Sequence, residues 1–209
     1  MNDDNQNSTE GVVSSFSIPL AFYYNDSLTA CLKDYILEQS VEGIASGVAP
    51  ELKHGIIESD FNLVRTEDNR IKDVFGWFAD KLYQTVNTVN GRQDKLDVFI
   101  NESWYHITTT NGSHDLHNHP NCSWCGIYYV DAGDEGSGDT VFMNPLTSTF
   151  TDAGTKYLER MTHMYIKPQQ GKLILFPSYL AHYQALYTGS KDRIVVAFNA
   201  TLQIGNTNE

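Results

Sequence analysis

The spacing of apolar residues along the chain changes once, near Gly91. Before that point they recur three and four apart. Leu28, Cys31, Leu32, Tyr35, Ile36 and Leu37 form one stripe over SLTACLKDYILEQS, and Val74, Phe75, Trp77, Phe78, Leu82 and Val86 form another within 71–89. Residues at that spacing share a helix face, so two amphipathic helices are predicted, with Asp26 capping the first. The run SIPLAFYY, just after Phe16, predicts a strand that ends at Asn25 and Asp26. The stretch 41–70 is rich in Gly, Pro and charge and reads as mostly loop.

Beyond Gly91 the apolar runs are short and β-branched or aromatic: LDVFIN, SWYHITT, GIYYVDA, DTVFMNP, HMYIKP, GKLILFP and RIVVAFNATL. Each is bounded by Gly, Pro, Asn or Asp, and no helix-length pattern interrupts them. Strands at this spacing predict a β-sandwich or barrel, with the two helices packed on one sheet. The expected organisation is a flexible polar tail over 1–15 and a single domain over 16–209. Its helical elaboration spans about 26–90 and its β core about 95–204.

Composition narrows the function. A formal charge of −12 argues against a nucleic-acid-binding surface, which needs a basic patch. No apolar stretch reaches the roughly 18 residues of a membrane span, and MNDDNQNSTEG lacks the features of a signal peptide. Three cysteines cannot all pair with one another, so a reducing, cytoplasmic setting is expected. Oligomeric state stays open, a homodimer included.

Seven histidines are present, and four of them fall in two short segments: His114, His117 and His119 in HDLHNHPNCSWCGIYYV, and His182 in FPSYLAHYQALYTGSKDR. Neutral imidazole is the commonest ligand for catalytic transition metals. Residues i and i+2 of a strand point the same way, which suits His117 and His119 as a pair. His114 is out of phase with His117 and would need a turn between them, so it is read as a neighbour or an exposed loop residue. His182 follows GKLILFP, where the chain has turned back. His117, His119 and His182 are the candidate ligands.

Cys122 and Cys125 form a Cys-x-x-Cys, but a β-rich run follows where a thioredoxin-type site needs a helix, so both read as small, partly buried side chains. Arg193 precedes an apolar strand; it is either a surface ion-pair residue or a guanidinium turned inward onto a carboxylate. In IYYV, one of Tyr128 and Tyr129 faces inward and the other outward.

Taken in order, HNHPNCSWCGIYYV, GDTVFMNP, GKLILFPSYLAHYQ and DRIVVAFN resemble the Fe(II)/2-oxoglutarate-dependent oxygenases, most of all a microbial subgroup with a His-x-His-Pro-Asn…Tyr-Tyr-Val signature. The likeness covers about 104–202. It implies a mainly β fold with N-terminal helices: a double-stranded β-helix (a jelly-roll, cupin-like) with the helices on its major sheet. By that resemblance Fe(II) is held by His117, His119 and His182. Arg193 anchors the distal carboxylate of the co-substrate 2-oxoglutarate, with Tyr129 adding a hydrogen bond. The implied reaction is hydroxylation of an unidentified substrate, consuming dioxygen and releasing succinate and CO2.

Two positions depart from the family pattern. Residue 119 is His where most members carry a carboxylate, which leaves the site one negative charge poorer. Val195 stands two residues after Arg193, where many members carry a hydroxyl. Two other readings compete: a cupin-like three-histidine metalloenzyme that uses no 2-oxo acid, and a non-catalytic β-sandwich that binds a ligand. Candidate lids are 41–70 and 147–162; Asp152, Lys156 and Arg160 in the second could meet a polar substrate.

Overall fold

The computed structural model describes residues 17–40, 49–134, 138–145 and 162–205. The tail 1–15, the first part of 41–70, and nearly all of 147–162, with Asp152, Lys156 and Arg160, lie outside the described residues. In chain order the elements are β1 (Ala21–Tyr24), α1 (Thr29–Ser40), β2 (Lys53–Glu58), α2 (Asn69–Asn90), β3 (Leu96–His117), β4 (Trp124–Asp131), β5 (Thr140–Met143), β6 (His163–Ile166), β7 (Lys172–Pro177), β8 (His182–Gln184) and β9 (Arg193–Ile204).

Antiparallel pairing runs β1-β7-β4-β9-β3-β8-β5-β6, with β2 added along β3. β3 and β9 are the long central pair, in register from Leu96 opposite Ile204 to Thr108 opposite Arg193. The far end of β3 pairs instead with β8. One strand therefore serves both halves of a curled sheet, and the sheet closes over a cavity as a double-stranded β-helix.

Alternation along the central strands gives two cores. On the outer face Tyr128, Val196 and Phe198 pack with Leu32, Ile36, Val74, Phe78 and Leu82 of the helices; on the inner face Tyr129, Val195, Phe142 and Phe176 pack together. Burial on both sides explains why β9 reads as a nearly unbroken apolar run. Phe78 stacks on Phe198, 5.2 Å between centroids, and meets Tyr128 at 5.3 Å. Gly126 makes room for that layer, since a Cβ there would lie 2.2 Å from the Phe198 ring.

α2 matches its predicted span closely. Asp68 caps its start by accepting from the Arg70 N–H at 2.8 Å, and Gly91 ends it in the left-handed region at φ 65°. α1 departs in detail. Asn25, rather than Asp26, caps a short 3-10 turn that leads into the helix, and Leu37 of the expected stripe is 41% exposed. LDVFIN and SWYHITT, expected as two strands, are one. An irregularity between Ile100 and Glu102 absorbs the break in alternation. The segment 41–70, read as mostly loop, contains β2 and two 3-10 turns. Gly55 at φ 57° breaks β2's alternation, which hides it from a period-two search. No described helix is long and apolar enough to cross a membrane.

Candidate metal centre

β3 ends at His117, and β8 begins at His182 directly opposite it. His119 lies just past the strand end, where its N–H donates to the Ser178 carbonyl at 3.1 Å and ties the loop to the turn before β8. The three rings converge, with centroids 4.3 Å apart for His117–His182, 5.1 Å for His117–His119 and 5.2 Å for His119–His182. One nitrogen from each falls within 4.8 Å of the others.

Two backbone carbonyls fix which nitrogen faces the centre. His117 Nδ1 lies 2.7 Å from the Asp115 carbonyl and His182 Nδ1 3.1 Å from that of Leu180. A carbonyl only accepts, so each Nδ1 carries the proton and each Nε2 keeps a lone pair for a metal. Burial pushes the imidazolium forms down: His119 to about 3, His182 well below its usual value, and His117 below it as well. Nearby histidines add to the effect. All three are thus neutral at pH 7, the form that ligates. Phe176 and Phe142 wall the His182 side, at centroid distances of 4.7 and 5.8 Å.

His114 is nearer than strand phase predicts. Across the β3–β8 ladder His114 faces Gln184 while His117 faces His182, which sets three residues on one strand against two on the other. The extra residue is a bulge, and it brings both histidines to one side. Their rings stack at 4.0 Å and 18°. His114 is therefore a wall of the centre rather than an exposed loop residue.

The opposite end of the same cavity holds Arg193. It is 1% exposed and makes no salt bridge to a carboxylate among the described residues. One guanidinium nitrogen donates to Gln184 Oε1 at 2.7 Å, and the group lies 5.1 Å from the Tyr129 ring centroid. Burial works against its charge, lowering its pKa, and the neighbouring Tyr129 side chain partly offsets that through charge and hydrogen bonding. Tyr129 meets Arg193 with its ring face, and its hydroxyl sits 2.6 Å from Thr140 Oγ1. Thr140, not Tyr129, lines the cavity there.

Four buried side-chain polar atoms lack a hydrogen-bond partner among the described residues: Trp104 Nε1, Gln184 Nε2, Arg193 Nε and Glu58 Oε1. The first three are donors on residues that line this cavity. An unmet buried donor costs roughly 1–3 kcal/mol, so the wall is built for a ligand rich in acceptors. Three neutral imidazoles at one end and, at the other, a buried guanidinium without a carboxylate salt bridge among the described residues fit a divalent metal and an anionic chelator.

Sequence reasoning missed one polar group. β2 lays Lys53 and Glu58 behind β3, and Glu58 Oε2 holds both Lys53 Nζ at 2.5 Å and His106 Nε2 at 2.6 Å, all three nearly buried. Burial raises the Glu58 carboxyl, but the His106 and Lys53 hydrogen bonds outweigh it and hold it below its usual range. His106 stands 5.5 Å from His114. A lone His in SWYHITT and a β2 read as loop gave no signal for this pairing.

The Cys-x-x-Cys opens β4, away from any helix. Its sulfurs are 3.9 Å apart and Cys125 Sγ lies 3.3 Å from Asn199 Oδ1, so the single Cys125 S–H can serve either the amide oxygen or a Cys122 thiolate. The hydrogen bond from Cys125 brings the half-buried Cys122 thiol down to about 7, whereas Cys125 is pushed up. Cys122 therefore gains its thiolate as pH rises through about 7, ahead of an ordinary thiol near 8.5. Alkylation by iodoacetamide, mapped by mass spectrometry, is expected to rise with an inflection near pH 7 at Cys122 and to spare Cys125. An inflection above pH 8.5 contradicts the assigned hydrogen bond.

A family model described as "Putative 2OG-Fe(II) oxygenase" matches residues 102–199, which takes in both histidine segments and Arg193. No curated protein sequence matches the chain. Among solved structures it is similar to a Pseudomonas putida prolyl-4-hydroxylase, with a TM-score of 0.59 at 13% identity over 88% of this chain and 94% of that one. It is also similar to HygX from Streptomyces hygroscopicus, solved with nickel and 2-oxoglutarate bound (TM-score 0.56, 12% identity, 88% and 83% covered). A third is a prolyl hydroxylase from Trichoplax adhaerens in complex with a hypoxia inducible factor peptide fragment (TM-score 0.56, 13% identity, 86% and 83% covered). At such identities the likeness is one of fold.

Proposed function

We propose that this chain, an Fe(II)- and 2-oxoglutarate-dependent oxygenase by its family match and fold, hydroxylates its substrate at a three-histidine iron centre formed by His117, His119 and His182. Arg193 holds the distal carboxylate of 2-oxoglutarate. The His-x-His-Pro-Asn…Tyr-Tyr-Val order supports a place in the microbial subgroup with that signature. The observation that carries the reading is Arg193: a fully buried guanidinium with no carboxylate partner among the described residues, in the cavity that contains the three imidazoles.

When bound, iron and 2-oxoglutarate supply the oxidant, and the overall change is R–H + 2-oxoglutarate + O2 giving R–OH + succinate + CO2. The chain's own groups position and exclude. The Asp115 and Leu180 carbonyls fix two imidazoles with Nε2 inward. Arg193 is placed to fork onto the carboxylate, with the Tyr129 ring centroid 5.1 Å from its guanidinium. Phe142 and Phe176 keep water from the side of His182. A more open cleft shares His114, Tyr183 and Gln184 with the cavity and is lined further by Leu116, His163 and Leu186; it is the approach for the prime substrate. The three cysteines, all free thiols, suit the cytoplasm.

His119 in place of a carboxylate keeps the cupin-like alternative in view, in which no oxo acid is used and Arg193 is incidental. Anaerobic titration separates the two. Protein loaded with Fe(II) is expected to develop a metal-to-ligand charge-transfer absorption on adding 2-oxoglutarate. Its melting temperature should rise by about 5–10 °C at a concentration near 100 times Kd. Absence of both changes at saturating co-substrate rejects the proposed function.

A further inference from the structure

We infer that Gln184 is a second anchor for the co-substrate carboxylate, an inference that rests on the function proposed above. The orientation of its amide is forced. Oε1 accepts from Arg193 at 2.7 Å and from Thr108 Oγ1 at 3.1 Å. A guanidinium can only donate, so the amide cannot turn its NH2 group toward Arg193, and its two N–H donors must face the other way. There they meet no partner among the described residues: Gln184 Nε2 is a buried, unsatisfied donor on a residue 9% exposed that lines the cavity.

Strand geometry places the amide between the two ends of the site. His182 and Gln184 are i and i+2 on β8 and point to the same side, so one short strand presents both a candidate metal ligand and the amide that touches Arg193. Its neighbours across the ladders are His114 on β3 and Thr140 on β5. On β9 the residue that shares Arg193's face two positions on is Val195, which has no donor. That face of β9 therefore offers a carboxylate oxygen held by Arg193 no additional donor, and Gln184 on β8 presents one. Oε1 aligns the guanidinium while Nε2 donates to the anion.

The test compares 2-oxoglutarate with 2-oxopentanoate, which has the same chain length but lacks the distal carboxylate. Binding to Fe(II)-loaded protein is read without turnover, by melting shift and anaerobic absorption. Gln184→Met is expected to weaken 2-oxoglutarate about 10- to 100-fold, the effect of losing a hydrogen bond to a charged group. The affinities for 2-oxopentanoate and Fe(II) should stay within about twofold. A double-mutant cycle then separates direct contact from support of Arg193. In an Arg193→Met background, Gln184 should still favour the dicarboxylate several-fold, and Gln184→Met should remove that residual preference.

Three results overturn the inference: unchanged 2-oxoglutarate binding in Gln184→Met, equal weakening of both oxo acids, or no effect of Gln184→Met once Arg193 is gone. If the wild-type protein binds no 2-oxoglutarate, the proposed function itself fails and the inference falls with it. Failure confined to the variants leaves that function standing.

Discussion

Arg193→Met is expected to cost 2-oxoglutarate affinity roughly 30- to 5000-fold, the range that follows from losing one partner of a buried charge pair at about 2–5 kcal/mol. The same variant without ligand should be as stable as wild type or more so. Arg193 is 1% exposed, has an unmet Nε donor, and forms no salt bridge to a carboxylate among the described residues. Its charge is partly offset by the Gln184 oxygen, by Tyr129 and, at longer range, by Tyr187 and Asp139. Replacing such an ion by an apolar side chain of similar length removes a desolvation cost and leaves no salt-bridged carboxylate among the described residues without its partner. Two measurements check the pair of outcomes: a denaturant midpoint on ligand-free protein and a 2-oxoglutarate titration on the Fe(II) form. A large loss of stability with unchanged co-substrate binding would make Arg193 a structural residue and return the choice to the cupin-like chemistry.

His182→Ala is expected to abolish stoichiometric Fe(II) binding, and turnover with it. Loss of groups that only orient a ligand typically costs 10- to 100-fold in metal affinity, so loss of one of three ligands should exceed about 100-fold. His182 is 4% exposed, stands opposite His117, and has its Nε2 turned inward by the Leu180 carbonyl. His114→Ala is the informative contrast. That ring stacks on His117 at 4.0 Å but lies outside the group of nitrogens that converge, so it should weaken Fe(II) by no more than about tenfold. Metal content after equilibrium dialysis reads both. Equal losses in the two variants would mean that the ligand set has been misassigned between His114 and the other histidines.

The absence of a carboxylate from the ligand set has a consequence for the cavity as a whole. If His117, His119 and His182 hold a divalent metal, a chelating oxo acid would bring one negative charge to it through the proximal carboxylate and leave the centre at +1, and the second charge, on the distal carboxylate, would fall to Arg193. This is why the two residues tested above are expected to separate cleanly. On the proposed function, His182 is expected to govern the metal and Arg193 the oxo acid.

Much of this was legible in the sequence because it is local. The 3–4 spacing of Val74, Phe75, Phe78, Leu82 and Val86 fixes the buried face of α2, and the alternation in Tyr128–Tyr129 and Arg193–Ile194 sends one of each pair to the helices and the other to the inner face of the sheet. The short run from His114 to His119, with His182 and Arg193 downstream, put the chemistry on the page before any fold. Tertiary structure alone decided what depends on pairing between strands. A single bulge between His114 and His117 brought to one side residues that strand phase had set apart. β2, broken by Gly55, delivered Lys53 and Glu58 to His106. The direction of the Gln184 amide was set by a guanidinium nine residues away in sequence and in contact across the cavity wall. Periodicity records which face a residue turns to the core; it carries no record of register, of bulges, or of which buried donors are left without a partner.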